Sequence, residues 1–186
     1  MSVREKVAEV LQEARDLLST LEEKEIEQVL CALRKWQKKR LFFWARGRSF
    51  LVLKGFAMRL MHLGYGVHIV GEVTCPAIQE GDVLIVASGS GKTSSVLLFA
   101  EKARDLGAEV LAFLGRRGTP LERVVHHVVA FSPEQAGESR QLYTGGGGTR
   151  FEDALWLLCD ALILALIEGR EGEAYRLMME RHANLE

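Results

Sequence analysis

Cysteine, one-sided charge, long apolar runs and an export signal are all scarce or missing in this chain of 186 residues, and each shortage closes off a class of protein. The 3 cysteines, Cys31, Cys75 and Cys159, include no C-x-x-C pair. Neither a disulfide framework nor a zinc site is expected, and a reduced, cytoplasmic setting is the simple reading. Basic and acidic residues balance at 24 against 25, which removes the electrostatic footprint of a dedicated nucleic-acid binder. A small-molecule partner is expected instead. The most apolar stretch, residues 155–167, is shorter than a bilayer span and carries Asp160 inside it, so it reads as a buried helix and no membrane partner is expected. The N-terminus opens with charged, amphipathic residues rather than a basic stub and an apolar core, so no signal peptide is evident. A chain of this length forms one domain with a substantial core and is short for two.

The first 40 residues read as two helices. Val7, Val10, Leu11, Leu17 and Leu18 form an apolar stripe on the first, and Ile26, Val29, Leu30 and Leu33 continue it on the second. Between them, Ser19 and Thr20 followed by Glu22 and Glu23 offer hydroxyl caps for the second helix. The basic run at 35–40 reads as a solvated helix end. From there strands and helices alternate: strands at 41–45, 66–70, 82–87, 109–113 and 126–131, with helices at 49–63 and 93–106. That alternation predicts an α/β fold, a three-layer α/β/α sandwich around a five-stranded parallel sheet. Ligands in such sheets sit beyond the carboxyl ends of the strands, near the point where the strand order reverses. A closing helix at 149–168 is apolar almost all round, more than one core can cover, and implies an oligomer. His126 and His127, adjacent on a strand, predict one ring in the core and one outside.

The strongest chemical signal is Ser-Gly-Ser-Gly-Lys-Thr at 88–93, directly after the apolar run 82–87 and before a helical pattern. A buried strand ending in such a turn presents unpaired backbone N–H groups at a helix N-terminus, where an anion is stabilised. Gly89 and Gly91 permit close backbone approach, Ser88, Ser90 and Thr93 can donate to phosphate oxygens, and Lys92 adds a charge. A nucleotide loop is the competing reading, because Gly91, Lys92 and Thr93 match the end of G-x-x-x-x-G-K-[ST]. That motif needs a glycine where this chain has Val86, and no later strand ends in an Asp suited to magnesium. A shorter serine-rich turn suits a small phosphomonoester. Gly47, Arg48 and Ser49 form a second such turn after the first strand and are candidates to converge on the same anion, unless Ser49 is an ordinary helix cap. Taken alone, Glu152 reads as a carboxylate favoured by a helix N-terminus and His182 as a surface residue on a fraying tail.

Together these segments resemble the sugar isomerase (SIS) domain family, and within it the 6-phospho-3-hexuloisomerases, over essentially the whole chain. The resemblance is carried by Gly-Arg-Ser at 47–49, Ala-Met-Arg-Leu-Met-His-Leu-Gly at 57–64, Gly-Glu-Val-Thr at 71–74 and Ser-Gly-Ser-Gly at 88–91 with Thr93. Gly-Thr-Arg-Phe-Glu at 148–152 and Arg-His-Ala-Asn-Leu at 181–185 are its most specific parts. The chain departs from the pattern at Ala45, at Phe50 and in the glycine-rich turn Gly145 to Gly148. What the resemblance implies is a single SIS domain over 1–186, flavodoxin-like, with an N-terminal helical pair over 1–40. It also implies a homotetramer with shared sites, no cofactor or metal, and interconversion of 3-hexulose 6-phosphate with fructose 6-phosphate in formaldehyde fixation. Glu152 is then the base that moves a proton between neighbouring carbons, and His182 an assistant that reaches in from another subunit. Many SIS domains only bind phosphosugars for regulation, which is the alternative from a non-enzymatic class.

Overall fold

The computed structural model describes residues 2–137 and 148–185. Two helices come first, α1 (Val3–Leu18) and α2 (Glu23–Lys35). α1 starts where it does because Ser2 Oγ accepts the N–H of Glu5 while the Glu5 carboxylate takes that of Ser2. α2 lacks such a cap: Glu22 occupies the capping position without a side-chain bond. Ser19 and Thr20, expected to start α2, donate backward to the carbonyls of Asp16 and Leu17. Those carbonyls are the orphan acceptors of α1's last turn, and they take the hydroxyls. The expected stripe on α1 is packed only at its C-terminal end, where Ala14 and Leu17 are buried, while Val7 and Leu11 are more than half exposed.

The basic run at 35–40 is not a solvated helix end. Trp36 is buried, Lys39 Nζ pairs with Glu109 at 2.7 Å, and Arg40 grips Asp82 through two bonds of 2.9 and 2.6 Å. Arg40 thereby opens the first strand, β1 (Arg40–Trp44). The chain continues as α3 (Gly47–His62), β2 (Gly66–Ile69), β3 (Val83–Ser88), α4 (Ser94–Asp105), β4 (Glu109–Leu114), β5 (His127–Ala130), α5 (Gly148–Ile167) and α6 (Glu171–Arg181).

The five strands are all parallel in the order β2-β1-β3-β4-β5. Every residue of β3 is buried, as a central strand covered on both faces requires. Strand alternation divides the core in two. Leu41, Phe43, Ile85, Leu111, Phe113 and Val129 face the layer built by α1, α2, α3, α5 and α6. Phe42, Leu84, Val86, Val110, Ala112 and Leu114 face α4, so the second layer is one helix and its adjoining loops. The chain moves outward in one direction from β1 to β2 and in the other from β3 to β5. The reversal leaves a crevice beyond the carboxyl ends of β1 and β3.

Neither ring of the histidine pair lies in the core. His126 is exposed, its Nδ1 accepting the N–H of Val110 at 3.0 Å. His127, on the edge strand β5, is half-buried, edge-on to Trp36 and 3.1 Å from Glu109. At the other end of the chain, the expected tail is mostly helix. α6 buries only Ala174, which explains why its periodicity is faint, and it returns to the C-terminal end of α3. There the His182 ring stacks on His62, with centroids 5.6 Å apart and planes 15° from parallel. α5 leaves Trp156, Leu157 and Leu164 substantially exposed. Among the described residues no helix is long and apolar enough to cross a membrane.

Candidate active site

β3 ends at Ser88 and α4 starts at Ser94, so the whole serine-rich turn lies in the crevice between β1 and β3. Ser88 Oγ accepts the N–H of Gly91 at 3.0 Å, and Ser90 Oγ that of Lys92 at 3.2 Å. Thr93 occupies the capping position of α4 without a side-chain cap bond; its Oγ1 shares a hydrogen bond of 3.0 Å with Ser88 Oγ. A hydroxyl that accepts an amide keeps its own proton to donate, so the turn is shaped before any ligand arrives. Lys92 is exposed at its rim. Val86, where a nucleotide loop would need its opening glycine, is a buried β3 residue registered between Trp44 and Ala112.

Two glycines of the turn are demanded by their surroundings. Gly91 has φ +62°, and a Cβ there would lie 2.4 Å from the side chain of Thr119. A Cβ on Gly89 would press on the Phe151 ring at 3.2 Å. Behind the turn, Gly115 follows β4 so closely that its own Cβ would meet the Gly89 carbonyl oxygen at 2.5 Å. The Gly115 N–H donates to the Ser88 carbonyl at 3.1 Å.

The second turn follows β1. α3 starts at Gly47, with φ +57°, and Arg46 holds the capping position without a side-chain bond. Ser49 therefore sits inside the first helical turn and is not a cap. It is buried, and its Oγ donates to Glu152 Oε1 at 2.8 Å. Glu152 comes from α5 and is 16% exposed; its other oxygen lies 3.9 Å from Arg48 Nε. Arg48, expected at the phosphate, also donates to Asp153 at 3.0 Å, so its guanidinium bridges α3 and α5. Glu152 is thus bound to side chains of another helix, which replaces the reading of it as a helix-end carboxylate. Its neighbour Phe151 is the residue packed on Gly89. Three elements, β1–α3, β3–α4 and the start of α5, meet at one place.

His182 is not part of that place within one chain. Ser49 lies in the first turn of the 16-residue α3 and His62 at its end, roughly 20 Å apart along the axis, and His182 stacks on His62. Phe50 packs edge-on to Trp44, with ring centroids 5.2 Å apart, and Ala45 is fully buried. Residues 145–147 of the glycine-rich turn lie outside the described residues, and Gly148 opens α5. Sequence reading assigned no role to Asp153, Phe151, Gly115 or Thr119. Asp153 and Phe151 flank Glu152 in sequence, and a glycine directly after an apolar strand marks Gly115, but no local signal points to Thr119. The assembled groups bring amides and hydroxyls that can receive an anion together with a carboxylate from the start of α5, an arrangement that suits proton abstraction from a small phosphorylated substrate.

Residues 36–144 match the model of the SIS domain. Over 155 residues the chain is 43% identical to a 3-hexulose-6-phosphate isomerase of Mycobacterium gastri, covering 81% of this chain and 75% of that protein. A 3-hexulose-6-phosphate isomerase of Bacillus subtilis (strain 168) is 35% identical over 188 residues, which is 100% of both chains. Among solved structures, a hypothetical protein of Methanococcus jannaschii, with an inferred function of 3-hexulose-6-phosphate isomerase, aligns with a TM-score of 0.80 at 29% identity. That alignment covers 98% of this chain and 99% of that one.

Proposed function

Because the chain belongs to the SIS domain family, we propose that it is an isomerase interconverting D-arabino-3-hexulose 6-phosphate and D-fructose 6-phosphate. The substrate's phosphate occupies the turn at 88–93, held by the amides and hydroxyls of Ser88, Ser90 and Thr93. Gly89 and Gly91 let the backbone approach, Lys92 borders the seat, and Gly47, Arg48 and Ser49 close its other side. Anchoring one end of the sugar holds its reactive carbons near the Glu152 carboxylate. In the direction of fructose 6-phosphate, Glu152 takes the proton from C2 of the 3-ketose. The C–H electron pair forms the C2–C3 double bond of an enediol as the C3 carbonyl oxygen gains a proton. The C2 hydroxyl then gives up its proton while Glu152 returns one to C3, leaving the carbonyl at C2. Ser49, bonded at 2.8 Å, and Arg48 orient the carboxylate for both transfers.

His182 acts in a neighbouring subunit's site, relaying protons between the two oxygens or assisting ring opening. Its distance from Glu152 within one chain supports that assignment, as do the exposed apolar residues Leu164 of α5 and Leu51 of α3. The whole chain works as one SIS unit in a cytoplasmic homotetramer.

The observation that carries this reading is the Ser49–Glu152 bond formed beside the serine-rich turn, with Phe151 packed on Gly89. Proton NMR of fructose 6-phosphate in deuterated buffer with the purified protein tests it. Deuterium is expected at C3, together with new 3-ketose signals. Exchange confined to C1, or none, refutes the assignment.

A further inference from the structure

The loop after β4 forms the back wall of the serine-rich turn, and that loop is tied to a distant helix. Along residues 115–121, Gly115 packs on Gly89, the Thr119 side chain fills the space beside Gly91, and the Leu121 N–H donates to the Gly91 carbonyl at 3.3 Å. From the middle of the loop Arg117 reaches α2, where its two terminal nitrogens donate to Glu25 Oε1 and Oε2 at 2.8 and 3.0 Å. Glu22 stands 3.1 Å and Glu122 3.9 Å from the same guanidinium. The Glu25 side chain is only 13% exposed, and its Oε2 also accepts the N–H of Ala130 at the end of β5, at 3.1 Å. Glu122 in turn accepts the N–H groups of Gly118 and Thr119 at 2.6 and 3.4 Å, while Thr119 Oγ1 accepts that of Glu122 at 3.3 Å. A bidentate arginine–carboxylate pair sets orientation as well as distance, so the loop has one defined position against the turn.

We propose that Arg117 and Glu25 are positioning residues for the substrate's phosphate. Their clamp presses the loop at 115–121 against the turn at 88–93 and keeps its amides aimed at the anion before the anion arrives. The proposal rests on the reading of that turn as the phosphate seat. Neither residue touches substrate; the effect passes through Thr119 and Gly115. Without the clamp the loop relaxes away from Gly89 and Gly91, and the turn must be ordered at the expense of binding. The loss falls on phosphate affinity and leaves proton transfer at Glu152 intact.

Steady-state kinetics with fructose 6-phosphate and calorimetry with inorganic phosphate test this on the full chain. Arg117→Met and Glu25→Gln are expected to raise KM and weaken phosphate binding by about 10-fold, with kcat within about 2-fold of wild type. Arg117→Lys, which keeps the charge without the fork, is expected to fall between. Lys39→Met breaks the Lys39–Glu109 ion pair at the opposite end of β4 and is expected to keep wild-type KM and phosphate affinity. It thereby reports what loss of an ion pair does through stability alone. Wild-type KM and phosphate affinity in both Arg117→Met and Glu25→Gln overturn the clamp. In that case weakened phosphate binding by Ser88→Ala leaves the phosphate seat standing. Unchanged phosphate affinity in Ser88→Ala overturns the seat and the clamp together. Should Arg117→Met fail to fold, Glu25→Gln decides alone, because it keeps the side chain's length and its acceptor for Ala130.

Discussion

Under the proposed function Glu152 faces two demands at once, a structural one from Ser49 and Arg48 and a chemical one from the substrate. Glutamine separates them. Glu152→Gln retains an oxygen to accept from Ser49, so thermal stability and phosphate affinity are expected to hold, while isomerisation falls by about 10²- to 10⁴-fold. A coupled assay of fructose 6-phosphate formation measures this, and full activity would remove Glu152 as the base. Gly115 shows how little room the serine-rich turn leaves behind it. A methyl there meets the Gly89 carbonyl oxygen at 2.5 Å and its Cα at 2.7 Å, both backbone atoms with no rotamer to yield. Gly115→Ala is therefore expected to destabilise by about 1–3 kcal/mol, in the range of overpacked sites, and to weaken phosphate binding as well. The nearest atoms a methyl at Gly55 would meet belong to the Trp156 ring, at 2.9 Å. Trp156 is about half exposed and can swing, so Gly55→Ala is expected to spare phosphate binding. Chemical denaturation and phosphate calorimetry on the two variants make the comparison.

At the scale of elements, the packing of α6 on α3 carries a pH dependence. His62 is buried at that contact, with Arg59 on its own helix, His182 and Arg181 from the α6 end, and Glu171 and Tyr175 lining the same pocket. Burial lowers its pKa from the ordinary 6.5, and repulsion from His182 and then Arg59 lowers it further. The unfolded chain therefore takes up the proton first on acidification. The stability tied to a neutral His62 is complete above the unfolded value and is lost as pH falls from about 6.5 through the folded value. His68 shifts the same way, through burial and then Arg40. The urea midpoint is thus expected to be flat between about pH 7 and pH 8 and to fall below about pH 6.5. His62→Gln should flatten part of that fall, and an unchanged slope would detach the α3–α6 contact from it. The strands were legible element by element, because five apolar runs of strand length separated by helical patterns admit few arrangements. α6 was not, because a helix that buries one alanine prints almost no period on its sequence. Ser19 and Thr20 were misread for a related reason: the rule for starting a helix does not say that a preceding helix end will claim the hydroxyls.

For the whole molecule the open apolar surface is the deciding feature. Leu51, Met58, Trp156 and Leu164 stand 47–64% exposed on α3 and α5; fully covering a side chain of this kind is worth about 1.5–3 kcal/mol. If Glu152 and His182 of one site come from different chains, two inactive variants can repair each other. Mixing Glu152→Gln with a truncation lacking residues 182–186, under conditions that exchange subunits, is expected to restore activity that neither has alone. Mixtures as inactive as their components would return His182 to its own chain or to no role.

Taken alone, the amino-acid order determined the strands, the parallel sheet they build and the two turns that open at its carboxyl edge. These depend on local periodicity and on glycine, serine and threonine at a strand-to-helix junction, all of which lie within a few positions of one another. It singled out Glu152 and His182 as candidates only through likeness to relatives, since neither stands out by spacing. Tertiary structure alone decided that Ser49 bonds Glu152 instead of capping a helix, that Thr119 and Gly115 back the serine-rich turn, and that His182 lies a helix length from Glu152. Each of those outcomes joins groups far apart along the chain, whose distances are set by how the helices pack on the sheet and not by any local preference.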